Sequence, residues 1–137
     1  MYGNPSFDCA GVRIRALCRQ LATVVTIDGE IDGTNVDHVS QSIKRFILAE
    51  KPFVLDLSRL NSLSPQGLSL LQSVDEYCFT AGVEWSLVAG QPVKQVLHTL
   101  GDQAAFPTMS SVHEALHHFS DVILERRRLL PLLSKTA

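Results

Sequence analysis

A chain of 137 residues, 45% hydrophobic and 19% charged, has the makings of one globular domain and excludes a disordered or low-complexity polymer. The formal net charge of −2 leaves no broad basic field for nucleic acid, and no apolar run is long enough to span a bilayer. Residues Met1 to Pro5 lack the charged-then-apolar pattern of a secretory leader, so the expected location is the cytoplasm.

Residues 1–9 are expected to be a flexible lead-in, residues 10–124 the domain, and residues 125–137 a C-terminal extension. Val12 to Leu17 alternates apolar and basic residues, which predicts a half-exposed edge strand. Ala22 to Ile27 is rich in β-branched residues and predicts a second strand, paired with the first as a hairpin. Gly29 to Gly33 ends it. Thr34 is a candidate helix cap, and Val36, Val39, Ile43, Phe46 and Ile47 then recur at helical spacing. Lys51-Pro52 stops that helix and starts the apolar strand Phe53 to Leu57.

Ser58 to Ser62 reads as a polar turn. Ser64 follows as a candidate N-cap, with Pro65 at the first helical position, where its missing N–H is tolerated. Leu68, Leu71, Val74 and Cys78 line one face of the ensuing helix, and Gly82 suits its left-handed end. Val83 to Val88 predicts a strand. Pro92 to Leu100 predicts a helix ended by Gly101. Phe106 to Met109 predicts a short, irregular last strand. Ser111 to Glu114 has capping-box spacing ahead of a final helix with a core face of Val112, Ala115, Leu116 and Phe119. Arg126 to Arg128 is expected to be a solvated helix end. The order is ββαβαβαβα. It implies an α/β domain with a mixed, mostly parallel sheet and helices packed on it.

No catalytic constellation is visible. The sequence has neither a Gly-x-Ser-x-Gly elbow nor a Gly-rich phosphate loop followed by lysine. His113 and His117 stand one helical turn apart but lack an evident third metal ligand, so no metal and no cofactor is expected. Asp28, Glu30 and Asp32 read as a solvated acidic loop, and Trp85 as a core residue. Three widely spaced cysteines, Cys9, Cys18 and Cys78, predict free thiols; Cys9 and Cys18 fall on neighbouring segments and could form a redox-responsive pair.

Four stretches together resemble a known family. Gly29-Glu30-Ile31-Asp32 resembles the Gly-Glu-Leu/Ile-Asp signature of STAS domains of the anti-sigma factor antagonist family. Val54 to Ser58 with Leu63 to Leu68 resembles its central stretch, Pro92 to Gly101 its third helix, and Ser111 to Leu116 the start of its last helix. The likeness spans roughly Val12 to Phe119. It implies a non-enzymatic, partner-switching regulator of sigma-factor-dependent transcription. The partner would be an anti-sigma factor or a serine kinase of the anti-sigma type, and a homodimer is possible.

In that family the helix start reads Asp-Ser-Ser/Thr-Gly, and phosphorylation of the first serine blocks binding. Here Ser64 stands in place of the aspartate, Pro65 in place of the phosphorylated serine and Gln66 in place of the next hydroxyl, while Gly67 is kept. The expected docking surface is Asp32, Ser62, Ser64, Pro65, Gln66 and Gly67. Phosphorylation cannot occur at Pro65, and Ser64 is a minor alternative. A small-ligand or anion-sensing scaffold is the alternative reading, because a helix start offers free N–H groups.

Overall fold

The computed structural model describes residues 6–19, 21–100, 106–122 and 124. A sheet of seven strands forms the centre, in the order β1-β2-β3-β4-β6-β7, with β5 attached to the far half of β3. The strands are β1 (Ser6–Cys9), β2 (Val12–Cys18), β3 (Thr23–Ile31), β4 (Phe53–Leu57), β5 (Leu60–Leu63), β6 (Trp85–Ala89) and β7 (Thr108–Met109). β1, β2 and β3 pair antiparallel. β3–β4, β3–β5, β4–β6 and β6–β7 are parallel, so the expected mixed, mostly parallel sheet is present.

Helices α1 (Val36–Lys44), α2 (Leu68–Ala81) and α3 (Gln91–Leu100) pack on one sheet face. The period-2 alternation of the strands decides which side chains they meet. Val25, Ile27, Phe53, Leu55, Leu57, Leu87 and Ala89 point to that face and form the larger core with Val39, Ile43, Leu71, Val74, Val93 and Leu97. Their neighbours Val24, Val54 and Val88 point the other way. They are covered by a fourth helix, α4, over residues 112–122, through Ala115 and Phe119. β4 is buried along its whole length because both faces are covered. Trp85 is a core residue as expected, its indole N–H donating to Asp75 Oδ1 at 2.9 Å. Gly82 closes α2 at φ 73°.

Two strands go beyond the predicted order. Residues 6–9, expected within a flexible lead-in, form β1, so β1 and not β2 is the sheet edge. Leu60–Leu63, expected to lie mostly within a polar turn, is β5. It exists because β3 is nine residues long and pairs β4 only over Thr23 to Thr26. The free upper half of β3 takes β5 instead, across an irregularity at Gly29/Glu30. Gly29 is needed there: its φ is +121°, and a Cβ would stand 3.1 Å from Gly11 O and from Val12 Cα. α1 also ends earlier than its apolar spacing suggested, with Arg45 as its last cap. The expectations for Met1–Pro5, Gly101 and Arg126–Arg128 fall outside the described residues.

The register corrects the cysteine pairing. Cys9 lies opposite Val12, while Cys18 is at the far end of β2, opposite Thr23. Six residue steps along the strand separate Val12 from Cys18, roughly 20 Å, against a limit of about 7 Å between the Cα atoms of a disulfide. Cys9 and Cys78 are buried and Cys18 is exposed; burial, with Asp75 nearby, pushes the Cys78 thiol up to about 12. A short alkylation pulse on the folded protein should therefore label Cys18 first, and an oxidant should yield no Cys9–Cys18 bridge in peptide mapping.

Candidate functional site

The upper ends of β3 and β5 and the start of α2 meet at one end of the sheet. β5 runs Leu60 to Leu63 beside Gly29 to Ile31, with Ser62 opposite Glu30 and Leu63 opposite Ile31. The Ser64 N–H donates to Ile31 O at 2.9 Å, which ties the following turn to the end of β3. Residues Pro65–Gly67 form a single 3-10 turn that feeds into α2. Gly67 lies tight beneath it: a Cβ there would stand 2.5 Å from Leu63 Cδ1 and 3.3 Å from Ile31 O. Pro65 and Gln66 are thereby pushed outward and are exposed.

Asp32 continues directly from β3. Its Oδ1 accepts from the Thr34 N–H at 2.9 Å and from the Thr34 hydroxyl. The Thr34 side chain and backbone hold the Asp32 carboxyl below the usual carboxylate range. Because the folded value is depressed, the favourable contribution is present above the ordinary carboxylate value of 3.8 and is lost as pH falls through the lowered one. The Asp32 charge thus persists through mildly acidic conditions. The next residue brings this loop against the α2 turn, since a Cβ on Gly33 would stand 3.4 Å from Gln66 Cβ. Asp32, Ser62, Ser64, Pro65, Gln66 and Gly67 are therefore gathered at one end of the sheet.

Two capping expectations are corrected. Ser64 sits at the cap position in extended backbone but makes no side-chain cap bond. The tight 3-10 turn directs its Oγ inward, where it is buried with no hydrogen-bond partner among the described residues. Thr34 does not cap α1 either; its hydroxyl serves Asp32, and Asn35 occupies the cap position without a side-chain cap bond. Asn35 is the positioning residue that the sequence did not reveal. It is buried, and its Oδ1 accepts from the Asp32 N–H at 3.0 Å. Its Nδ2 donates to Glu30 O at 2.9 Å and Ala10 O at 3.1 Å. One side chain thus links the β1–β2 turn, the end of β3 and the Asp32 loop.

A groove of about 260 Å³ runs from Pro65 to α3, lined by Gln95, Val96 and Thr99. The turn itself has few donors left for an anion. Pro65 has no N–H, the Gly67 N–H donates to Ser64 O, and the Leu68 N–H is bonded back to Pro65 and Gln66 carbonyls. At α4, the Glu114 N–H donates to Ser111 Oγ at 3.0 Å as the capping box requires. The Glu114 carboxylate, however, turns to Ser110, whose side-chain and backbone donors hold its carboxyl below the usual range. His117 pairs with Asp121 at 3.6 Å, and no cluster of three or more metal-ligating side chains occurs among the described residues.

The family model described as the STAS domain matches residues 13–115, from β2 into α4. The chain belongs to the STAS domain family. This STAS domain is 49% identical to Osmosensory protein A of Mycobacterium tuberculosis (strain ATCC 25618 / H37Rv) over 140 residues, covering 98% of this chain and 89% of that protein. Its fold is shared by an anti-sigma factor antagonist from Mycobacterium paratuberculosis, with a TM-score of 0.68 at 23% identity, over 80% of this chain and 94% of that one. The unphosphorylated form of the anti-sigma factor antagonist SpoIIAA superposes with a TM-score of 0.63 at 16% identity, over 79% and 96% of the two chains. At such identities the likeness is one of fold. No described helix of this STAS domain is long and apolar enough to cross a membrane.

Proposed function

We propose that this STAS domain is a non-enzymatic partner-switching protein. It binds an anti-sigma factor, or a related serine-kinase regulator, and thereby acts on sigma-factor-dependent transcription. One observation carries the reading: Pro65 and Gln66 stand exposed at the start of α2, flush against the Asp32 loop, as one continuous surface. Ser62 and Ser64 border it, and Gly67 allows the close packing that pushes it outward. The relative named Osmosensory protein A supports placing this switch in an osmotic response.

Docking here is not turned off by phosphate at the family position. Pro65 has no hydroxyl, and the buried Ser64 Oγ is out of reach of a kinase while the turn is formed. The alternative of an anion-sensing scaffold is disfavoured, because Pro65 has no N–H and those of Gly67 and Leu68 are bonded within the turn.

The test is affinity capture with the parent organism's anti-sigma factors. Wild-type protein should capture one of them. Gln66→Lys should weaken that capture by on the order of tenfold or more while melting normally, since Gln66 is exposed. Incubation with the captured kinase should leave the turn unmodified. Capture of none, or stoichiometric phosphate on Ser64, would overturn the reading.

A further inference from the structure

The sheet has two ends, and the docking surface occupies only one of them. β3, β4 and β6 start together at the other, with Thr23 beside Phe53 and Phe53 beside Trp85. α1 and α2 return the chain to that second end, so their last turns and the connections behind them lie there. α4 ends there too: its Phe119 and Val122 line a hollow of about 120 Å³ together with residues 50–52 and 82–84.

Three large apolar side chains are exposed among the described residues, and all three belong to this end. Phe79, in the last turn of α2, is 86% exposed; Leu48, between α1 and β4, is 42% exposed; Leu124, just past α4, is 51% exposed. Any one of them alone would be ordinary on a wetted surface. Here three separate segments bring them to the same end, each within three residues of the hollow's lining.

The chain leaves the described fold from the same place. Leu124 is followed by Glu125-Arg126-Arg127-Arg128-Leu129-Leu130-Pro131-Leu132-Leu133-Ser134-Lys135. Four cations against the single Glu125, with four leucines among them, combine what holds a segment at a charged interface. Apolar side chains enter the acyl boundary, and long cationic ones stay at phosphate level. Within the fold, Glu50, Glu76, Glu84 and Asp121 at this end are matched in number by Arg19, Lys44, Arg45 and Lys51. The sign of the end is therefore set by residues 125–135.

We infer that this end of the domain rests on an anionic phospholipid surface, with residues 126–133 in the headgroup layer and Leu48, Phe79 and Leu124 meeting it from the fold. The Pro65–Gln66 surface, at the opposite end of the sheet, then faces away from the bilayer. The inference does not depend on what docks there.

Flotation of the full chain with lipid vesicles tests this. The protein should partition onto vesicles containing phosphatidylglycerol, stay off vesicles of phosphatidylcholine alone, and detach as salt is raised. Arg126→Gln, Arg127→Gln and Arg128→Gln together should lower partitioning by on the order of 100-fold, from about fivefold for each basic residue. Phe79→Ser with Leu124→Ser should lower it by about fivefold or more, with an unchanged melt because both side chains are exposed. No flotation with phosphatidylglycerol, equal flotation with phosphatidylcholine alone, or indifference to either set of substitutions overturns the inference. Trypsin gives a second readout: it should cut at Arg126 to Arg128 in the lipid-free protein and be blocked there by phosphatidylglycerol vesicles. Protection without vesicles would assign the leucines to the hollow beside Phe119 instead, and would overturn it equally.

Discussion

Asn35→Ala is expected to destabilise the domain by about 2–4 kcal/mol, although it removes only a small polar side chain. The cost comes from what is left behind. Ala10 O, Glu30 O and the Asp32 N–H each lose a partner inside a region where Asn35 itself is buried. Alanine cannot replace any of the three bonds. The melting midpoint should fall by roughly 5–15 °C in a calorimetric scan. Asn35→Asp should do no better near neutral pH. It retains an acceptor for Asp32 N–H but turns a carboxylate towards two carbonyl oxygens. The loss should also reach the docking surface, because Asn35 fixes the loop that lies against Gln66. Partner capture by Asn35→Ala at a temperature where it is still folded should be weaker than that of wild type. A melt within about a degree of wild type would mean that these bonds contribute nothing net.

The parts of this fold that were legible are those set by local periodicity. The α2 stripe of Leu68, Leu71, Val74 and Cys78, the apolar residues around Asp56 in β4 and the left-handed Gly82 need no distant information. β5 does need it. Leu60-Asn61-Ser62-Leu63 is too short and too polar to show a strand period, and it pairs only because β3 overshoots β4. β1 was hidden for a different reason. Its turn puts Ala10 at φ 50° and Gly11 at φ 92°, a mirror-type hairpin geometry that Asn-Gly or Asp-Gly would have announced and Ala-Gly does not. At the candidate site, the resemblance named residues that the fold brings together, while local rules gave the wrong bonds. Ser64 has the spacing of a cap, but the 3-10 turn through Pro65 rotates its hydroxyl inward. Asn35 follows Thr34 with no motif to mark it. Only the convergence of three separate segments on its amide reveals its role.

Phe119→Ala is expected to cost about 3–5 kcal/mol, near the top of the range for a single core truncation. Phe119 is 1% exposed and is the largest member of the smaller core, where α4 meets Ala22, Val24, Val54 and Val88. α4 has just one other fully buried side chain, Ala115, which is too small to hold the helix alone. The truncation therefore removes the largest contact that fastens α4 to the sheet, leaving Ala115 and the half-buried Val112 and Leu116. The larger core on the opposite face keeps all its members, and so do Ile31, Leu63 and Gly67 beneath the docking surface. Two measurements separate these layers. Hydrogen exchange should lose protection first over residues 112–122, with β3 and β4 following only at the lowered global stability. Partner capture below the new melting point should stay near wild type, in contrast to Asn35→Ala. If Phe119→Ala abolished capture while α2 and β3 remained protected, the back of the sheet would be part of the docking surface, and the Pro65–Gln66 end could not be the whole of it.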